Sequence, residues 1–231
     1  GSAPVPLVLD FHQMGFTADG ASKSSGIAQL SETQGFIAVW PQGIENSWDI
    51  GPCCALSSPV DDFAFVRALV RQLSTEACVD YRRVYAVGYS LGASMAYYLG
   101  CRQAEVFAAI AASSMDLFAD SLTTCNPSRP ITEISFRSVA DSVVPYAGGT
   151  SYPPGYPDMA MELLGAVGTF QKWATLNSCT GAPTAEDVDG CSTYADCAQG
   201  TEVTLCTKQE GTQIFGDANL IWDTLKRHSM P

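Results

Sequence analysis

The sequence predicts an α/β fold built on a mainly parallel sheet. Short β-rich apolar runs alternate with helical patterns along most of the chain. The runs stop at Gly, Pro or polar turn residues, and no repeat or linker divides the 231 residues. With 46% hydrophobic and 16% charged residues, the chain can fill a large core, and one domain over 1–231 is expected.

Pro6 to Phe11 (PLVLDF) reads as a buried strand. A polar stretch with Gly15 and Gly20 follows, then a helix over Ser24 to Gln34 that Gly35 ends. Phe36 to Trp40 is a second strand, stopped by Pro41. Gln42 to Pro59 holds Gly, Pro, Asn and the pair Cys53-Cys54, and reads as a long loop of the kind that is often functional. Asp61-Asp62 opens an amphipathic helix on which Phe63, Val66, Val70 and Leu73 recur at helical spacing. Arg83 to Gly88 is a third strand, and Leu91 to Gly100 is a helix rich in small residues. Phe107 to Ala112 and Ile131 to Val139 are the fourth and fifth strands. Met159 to Leu176 reads as one long helix, Glu202 to Thr207 as the sixth strand and Asp217 to Arg227 as the closing helix. Pro153 to Pro157 reads as a rigid loop.

Composition removes several classes of function. A formal charge of −12 argues against a nucleic-acid partner, which needs clustered positive charge. No apolar run approaches the roughly 20 residues of a membrane-spanning helix. The nine cysteines include no C-x-x-C spacing, and there are only two histidines, so disulfides in an oxidising compartment are expected rather than a metal site. Nine is odd, so one cysteine stays outside any set of pairs within the chain. A redox or metal protein using these thiols is the competing reading that a thiol count would test.

Gly88-Tyr89-Ser90-Leu91-Gly92 is G-x-S-x-G between a strand and a helix. That context defines a nucleophile elbow, a sharp turn that exposes the Ser90 hydroxyl at the carboxyl end of a central strand. The Leu91 N–H, at the helix start, can donate to an oxyanion. Asp141, just past the fifth strand, is the candidate acid, and the order Ser then Asp is the order of this fold.

These residues resemble the α/β-hydrolase esterases that include feruloyl esterases, acetylxylan esterases and polyhydroxybutyrate depolymerases. The resemblance runs through LVLDFH, GFIAVWPQGIENSW with its following Cys pair, VDDFAFVRALV, CVDYRRVYAVGYSLGASMAYYLGC, CNPSRP and SVADSVVPYAGG. It implies a secreted, disulfide-braced α/β-hydrolase that needs no cofactor and works through an acyl-enzyme, with Ser90 as nucleophile and Asp141 as acid. The implied partner is an ester-bearing small molecule, a polysaccharide-linked ester or a polyester. The family's usual N-terminal strands have no counterpart before Pro6. The resemblance also pairs Cys179 with Cys206 and Cys191 with Cys197.

Two positions depart from the family pattern. The first strand of the family ends in His-Gly, and here His12-Gln13 stands there. Gln13 keeps an N–H for a second oxyanion donor, Met14 being the other candidate, although Gly reaches dihedrals that Gln avoids. The family's base histidine follows the last strand in a glycine-rich turn, and the matching segment is Glu210-Gly211-Thr212-Gln213, so Gln213 occupies the histidine slot. An amide cannot relay a proton near pH 7. Either the base is lost, or His228 folds back to serve, or the pocket binds without cleaving, as in a non-catalytic protein on an esterase scaffold. His12, Trp48 and Tyr89 are the candidate substrate contacts. For His12 the other reading is a hydrogen-bonded strand end, and for Trp48 a ring packed under its own loop.

Overall fold

A computed structural model describes residues 3–51, 53–54, 60–153 and 155–231. Parts of the predicted Gln42–Pro59 and Pro153–Pro157 loops lie outside the described residues. Nine strands are described: β1 (Val5–Phe11), β2 (Ile37–Val39), β3 (Val79–Tyr89), β4 (Ala109–Ser113), β5 (Thr132–Ser138), β6 (Gly149–Ser151), β7 (Met161–Leu163), β8 (Cys191–Tyr194) and β9 (Val203–Lys208). The helices are α1 (Ala18–Ser24), α2 (Ile27–Gln34), α3 (Asp62–Glu76), α4 (Leu91–Arg102), α5 (Ser121–Thr124), α6 (Ala166–Leu176) and α7 (Ala218–Leu225).

The main sheet has the order β2-β1-β3-β4-β5-β9-β8. All its pairings are parallel except β8 with β9. All six predicted strands are present in it. The register aligns their carboxyl ends: Phe11 faces Gly88, Tyr89 faces Ser113, and Ser113 faces Phe136. The segments after β1, β3, β4 and β5 therefore emerge along one edge, where open α/β sheets build their sites. Strands β4 and β5 are buried throughout, as expected for central parallel strands covered on both faces.

Three sequence expectations are corrected. The Ser24–Gln34 helix starts only at Ile27 (α2), after Gly26 at a left-handed φ of 76°, and the polar stretch before it carries a further helix, α1, that the sequence reading missed. The Met159–Leu176 helix starts only at Ala166. Gly165, at φ 78°, packs its backbone against Ala147 and Gly148, and Met161–Leu163 instead pairs with β6. The third correction concerns the late cysteines. The bridges are Cys179–Cys197 and Cys191–Cys206, beside Cys101–Cys125 and Cys53–Cys54. Strand β8, absent from the sequence reading, sets Cys191 opposite Cys206 in the ladder. Exposed Cys78 belongs to none of these four bridges.

A polar layer lies within the core. Glu133 on β5 is fully buried, and burial pushes its carboxyl up to about 8 against the partial offset of the Ser135 and Tyr97 hydroxyls. The folded state thus holds a proton that the unfolded chain has released by about pH 4.5. Stability from this group is complete below that value and is lost as pH rises through about 8. Glu133→Gln is expected to remove roughly 2–4 kcal/mol of this alkaline loss. Thermal unfolding at pH 6 and pH 9 checks it: the two melting temperatures should lie closer together in the variant than in the unmodified protein.

Candidate active site

Ser90 joins β3 to α4 with φ 53° and ψ −122°, a conformation that costs a non-glycine residue energy. Its backbone N–H donates to Ser113 O at 2.9 Å, which ties the turn to the neighbouring strand. The flanking glycines have steric causes. A Cβ on Gly88 would lie 2.1 Å from Gly92 O, and one on Gly92 would lie 1.9 Å from Phe11 O. At Gly88 the first turn of α4 folds back too closely on β3, and at Gly92 α4 packs too closely on the end of β1, for a side chain at either position.

Ser90 opens into a cavity of about 300 Å³. Gln13, Met14, Tyr89, Leu91 and Gln213 line it beside Ser90. Residues not foreseen as lining also contribute: Cys54, Met115, Val143, Val144, Met161 and others. Met115 and Val143–Val144 follow β4 and β5, so the carboxyl-edge rule that located Ser90 could have located them too. Gln13 lies outside the left-handed region, so its backbone does not need the glycine that the family carries there.

His12 and Trp48 lie under the site rather than in it. His12 Nε2 accepts from Gly43 N at 3.0 Å, Nδ1 donates to Gln13 O at 2.9 Å, and burial pushes the imidazole below its ordinary value. Trp48 is fully buried, packs at a tilt on the His12 ring with centroids 4.8 Å apart, and donates from Nε1 to His12 O at 2.9 Å. The expectation that these two touch substrate is corrected: both brace the loop that presents Gln13. Tyr89 does face the cavity. Its ring stacks on Phe215 at 4.0 Å, and its hydroxyl donates to Gln213 Oε1 at 3.4 Å.

Asp141 is 5% exposed, and its Oδ1 accepts from Val143 N and Val144 N, both at 2.9 Å. Its Oδ2 is buried and has no hydrogen-bond partner among the described residues. The turn carrying Gln213 is held by three buried serines. The Ser138 hydroxyl donates to Gly211 O and accepts from Ala140 N, joining this turn to the Asp141 loop. Ser114 Oγ accepts from Ile214 N at 2.8 Å and donates to Ile214 O at 2.9 Å, and Ser113 Oγ accepts from Gly216 N at 2.9 Å.

His228 is at the other edge of the sheet. Its Nε2 meets Glu202 Oε1 at 3.1 Å, and its carbonyl accepts from the Tyr85 hydroxyl near the start of the core part of β3. It does not reach Ser90. The cavity thus offers a serine hydroxyl and the start of a helix, and the Asp141 carboxyl lies behind two of its lining residues, Val143 and Val144. No histidine lines it. Burial pushes the Tyr89 hydroxyl upward, away from use as a base at neutral pH.

The elbow, the parallel sheet and the position of Asp141 define an α/β-hydrolase. The Esterase PHB depolymerase family model matches residues 2–160, and the chain belongs to that family. Feruloyl esterase B of Piromyces equi is 34% identical over 239 residues, covering 100% of this chain and 44% of that protein. A bifunctional acetylxylan esterase/xylanase of Neocallimastix patriciarum is 26% identical over 66% of this chain and 22% of its own length. A probable feruloyl esterase C of Aspergillus niger is 27% identical over 63% of this chain and 52% of its own length. The chain thus spans about half or less of these relatives. The acetyl xylan esterase structure from Aspergillus awamori has the same fold, with a TM-score of 0.71 at 16% identity over 97% of this chain and 90% of that one. Among the described residues no helix is long and apolar enough to cross a membrane.

Proposed function

We propose that this chain is a secreted carboxylic-ester hydrolase domain of the feruloyl esterase type whose catalytic base has been replaced by Gln213. Ser90 is the nucleophile, Asp141 the acid, and the Leu91 and Gln13 N–H groups the oxyanion donors. The substrate is an ester of a small or aromatic acid, carried on a polysaccharide as the relatives' names suggest. The observation that carries the reading is that Asp141, whose buried Oδ2 has no hydrogen-bond partner among the described residues, is held by Val143 and Val144 beside a serine-elbow cavity that no histidine lines. A carboxyl oxygen left bare inside a protein is costly, and triad geometry aims it at an imidazole N–H. Ser90 then lacks a group to take its proton, and turnover is slow.

The experiment is hydrolysis of a short-chain nitrophenyl ester by the unmodified chain, by Gln213→His, and by Gln213→His with Ser90→Ala. A large gain from the first substitution that the second abolishes supports the reading. Fast hydrolysis by the unmodified chain refutes the loss of the base. If no variant is active, the non-catalytic binding protein becomes the better reading.

A further inference from the structure

The bridge between Cys53 and Cys54 has a different place in the molecule from the other three. Those join residues 15 to 24 apart in sequence, where cross-linking restricts the unfolded chain most effectively. A bridge between neighbours closes almost no chain, so loop closure gives it little purpose. Its position supplies another. Cys54 lines the cavity that holds Ser90, and both cysteines are buried, at 7% and 4% exposure. Cys54 takes a left-handed φ of 83°, unusual for a residue with a side chain, and its carbonyl accepts from buried Ser47 Oγ at 2.8 Å. Ser47 precedes Trp48, so the bridge is anchored to the buried scaffold under the oxyanion loop. On its other side, Cys53 Sγ lies 3.9 Å from Met159 Sδ. Met159 is in the β6–β7 connection, from which Pro153 and Tyr156 also reach the cavity. Met14, Met115 and Met161 complete a cavity surface rich in sulfur.

We propose that the Cys53–Cys54 disulfide is a specificity wall of the ester pocket. It presents a rigid, polarizable face to the bound ester and, through Met159, holds the β6–β7 connection against the cavity. Divalent sulfur packs favourably on aromatic rings, so the wall favours an aromatic acid over an aliphatic one. This inference rests on the reading of the cavity as an ester site.

Ligand-detected NMR titration of the unmodified chain with methyl cinnamate and methyl butyrate tests it without requiring turnover. The expected result is that Cys53→Ala/Cys54→Ala weakens cinnamate binding about tenfold more than butyrate binding. Met159→Ala, which keeps the bridge, should shift the same ratio in the same direction by about threefold, and it decides the matter if the double variant does not fold. An unchanged ratio, or a parallel loss for both esters, overturns the wall and leaves the ester site standing. Binding of neither ester to the unmodified chain removes the ester-site reading, and the wall with it.

Discussion

Gln213→His is expected to raise nitrophenyl ester hydrolysis by about two to four orders of magnitude. The size follows from what is already in place. Removing one member of a serine triad typically costs on the order of 10⁴ or more, so restoring it into intact surroundings should recover much of that. The surroundings are intact here in three respects. Ser90 is in the elbow conformation, Asp141 is oriented by two backbone N–H groups, and its Oδ2 has no partner among the described residues. The turn that would carry the new imidazole is fixed by Ser113, Ser114 and Ser138. Gln213 already lines the cavity with its side chain beside Tyr89.

The pH profile of the restored variant should identify the new base. An imidazole next to a carboxylate is favoured in its charged form, so activity should rise with pH through a value at or above about 6.5. Hydrolysis is measured from pH 5 to 9, with Ser90→Ala in the same background as the blank. A gain that survives Ser90→Ala would mean that the imidazole acts as a surface nucleophile. His228→Ala in the unmodified chain should leave any residual rate within about twofold, because that side chain pairs with Glu202 at the opposite edge of the sheet.

The parts of this site legible in the sequence were those with local signatures. G-x-S-x-G between a strand and a helix located Ser90; the approach of α4 to Phe11 explains Gly92, and the α4 backbone lying against Gly88 explains Gly88. Six of the seven strands of the main sheet were legible, since most of them are short apolar or β-branched runs bounded by turn residues. Strands β6, β7 and β8 were not, since they are three or four residues long and all three are edge strands of mixed polarity. Missing β8 caused the wrong cysteine pairing, because only the ladder puts Cys191 opposite Cys206. Trp48 allowed two readings because a tryptophan after a strand suits both a ligand and a core. Only its burial against His12 decided between them. The proposed sulfur-lined wall was invisible because its members come from four separate connections and strand β7.

Arg137→Met is expected to destabilise the protein by about 3–5 kcal/mol, the typical cost of breaking a buried ion pair from one side. At about 2–4 °C per kcal/mol for a chain of this size, the melting temperature should fall by roughly 6–20 °C. Arg137 and Asp116 are ion-paired, and both side chains are inaccessible to solvent. Burial pushes the Asp116 carboxyl up to about 6 even with the guanidinium opposing it. Without that cation the carboxyl rises further. Its contribution to stability is then present at low pH and lost as pH rises through the new folded value. The defect should therefore be smaller at pH 5 than at pH 8, and adding Asp116→Asn should recover part of it at pH 8. A defect independent of pH would show that lost packing, not the unpaired charge, is responsible. The pair also reaches the site. Arg137 Nη2 donates to Val144 O at 2.6 Å, on the same residue whose N–H holds Asp141 Oδ1. In the Gln213→His background, Arg137→Met should thus lower activity beyond what the unfolded fraction explains. Asp116→Asn, which repairs the buried charge but not the Val144 contact, should restore the melting temperature more fully than the rate.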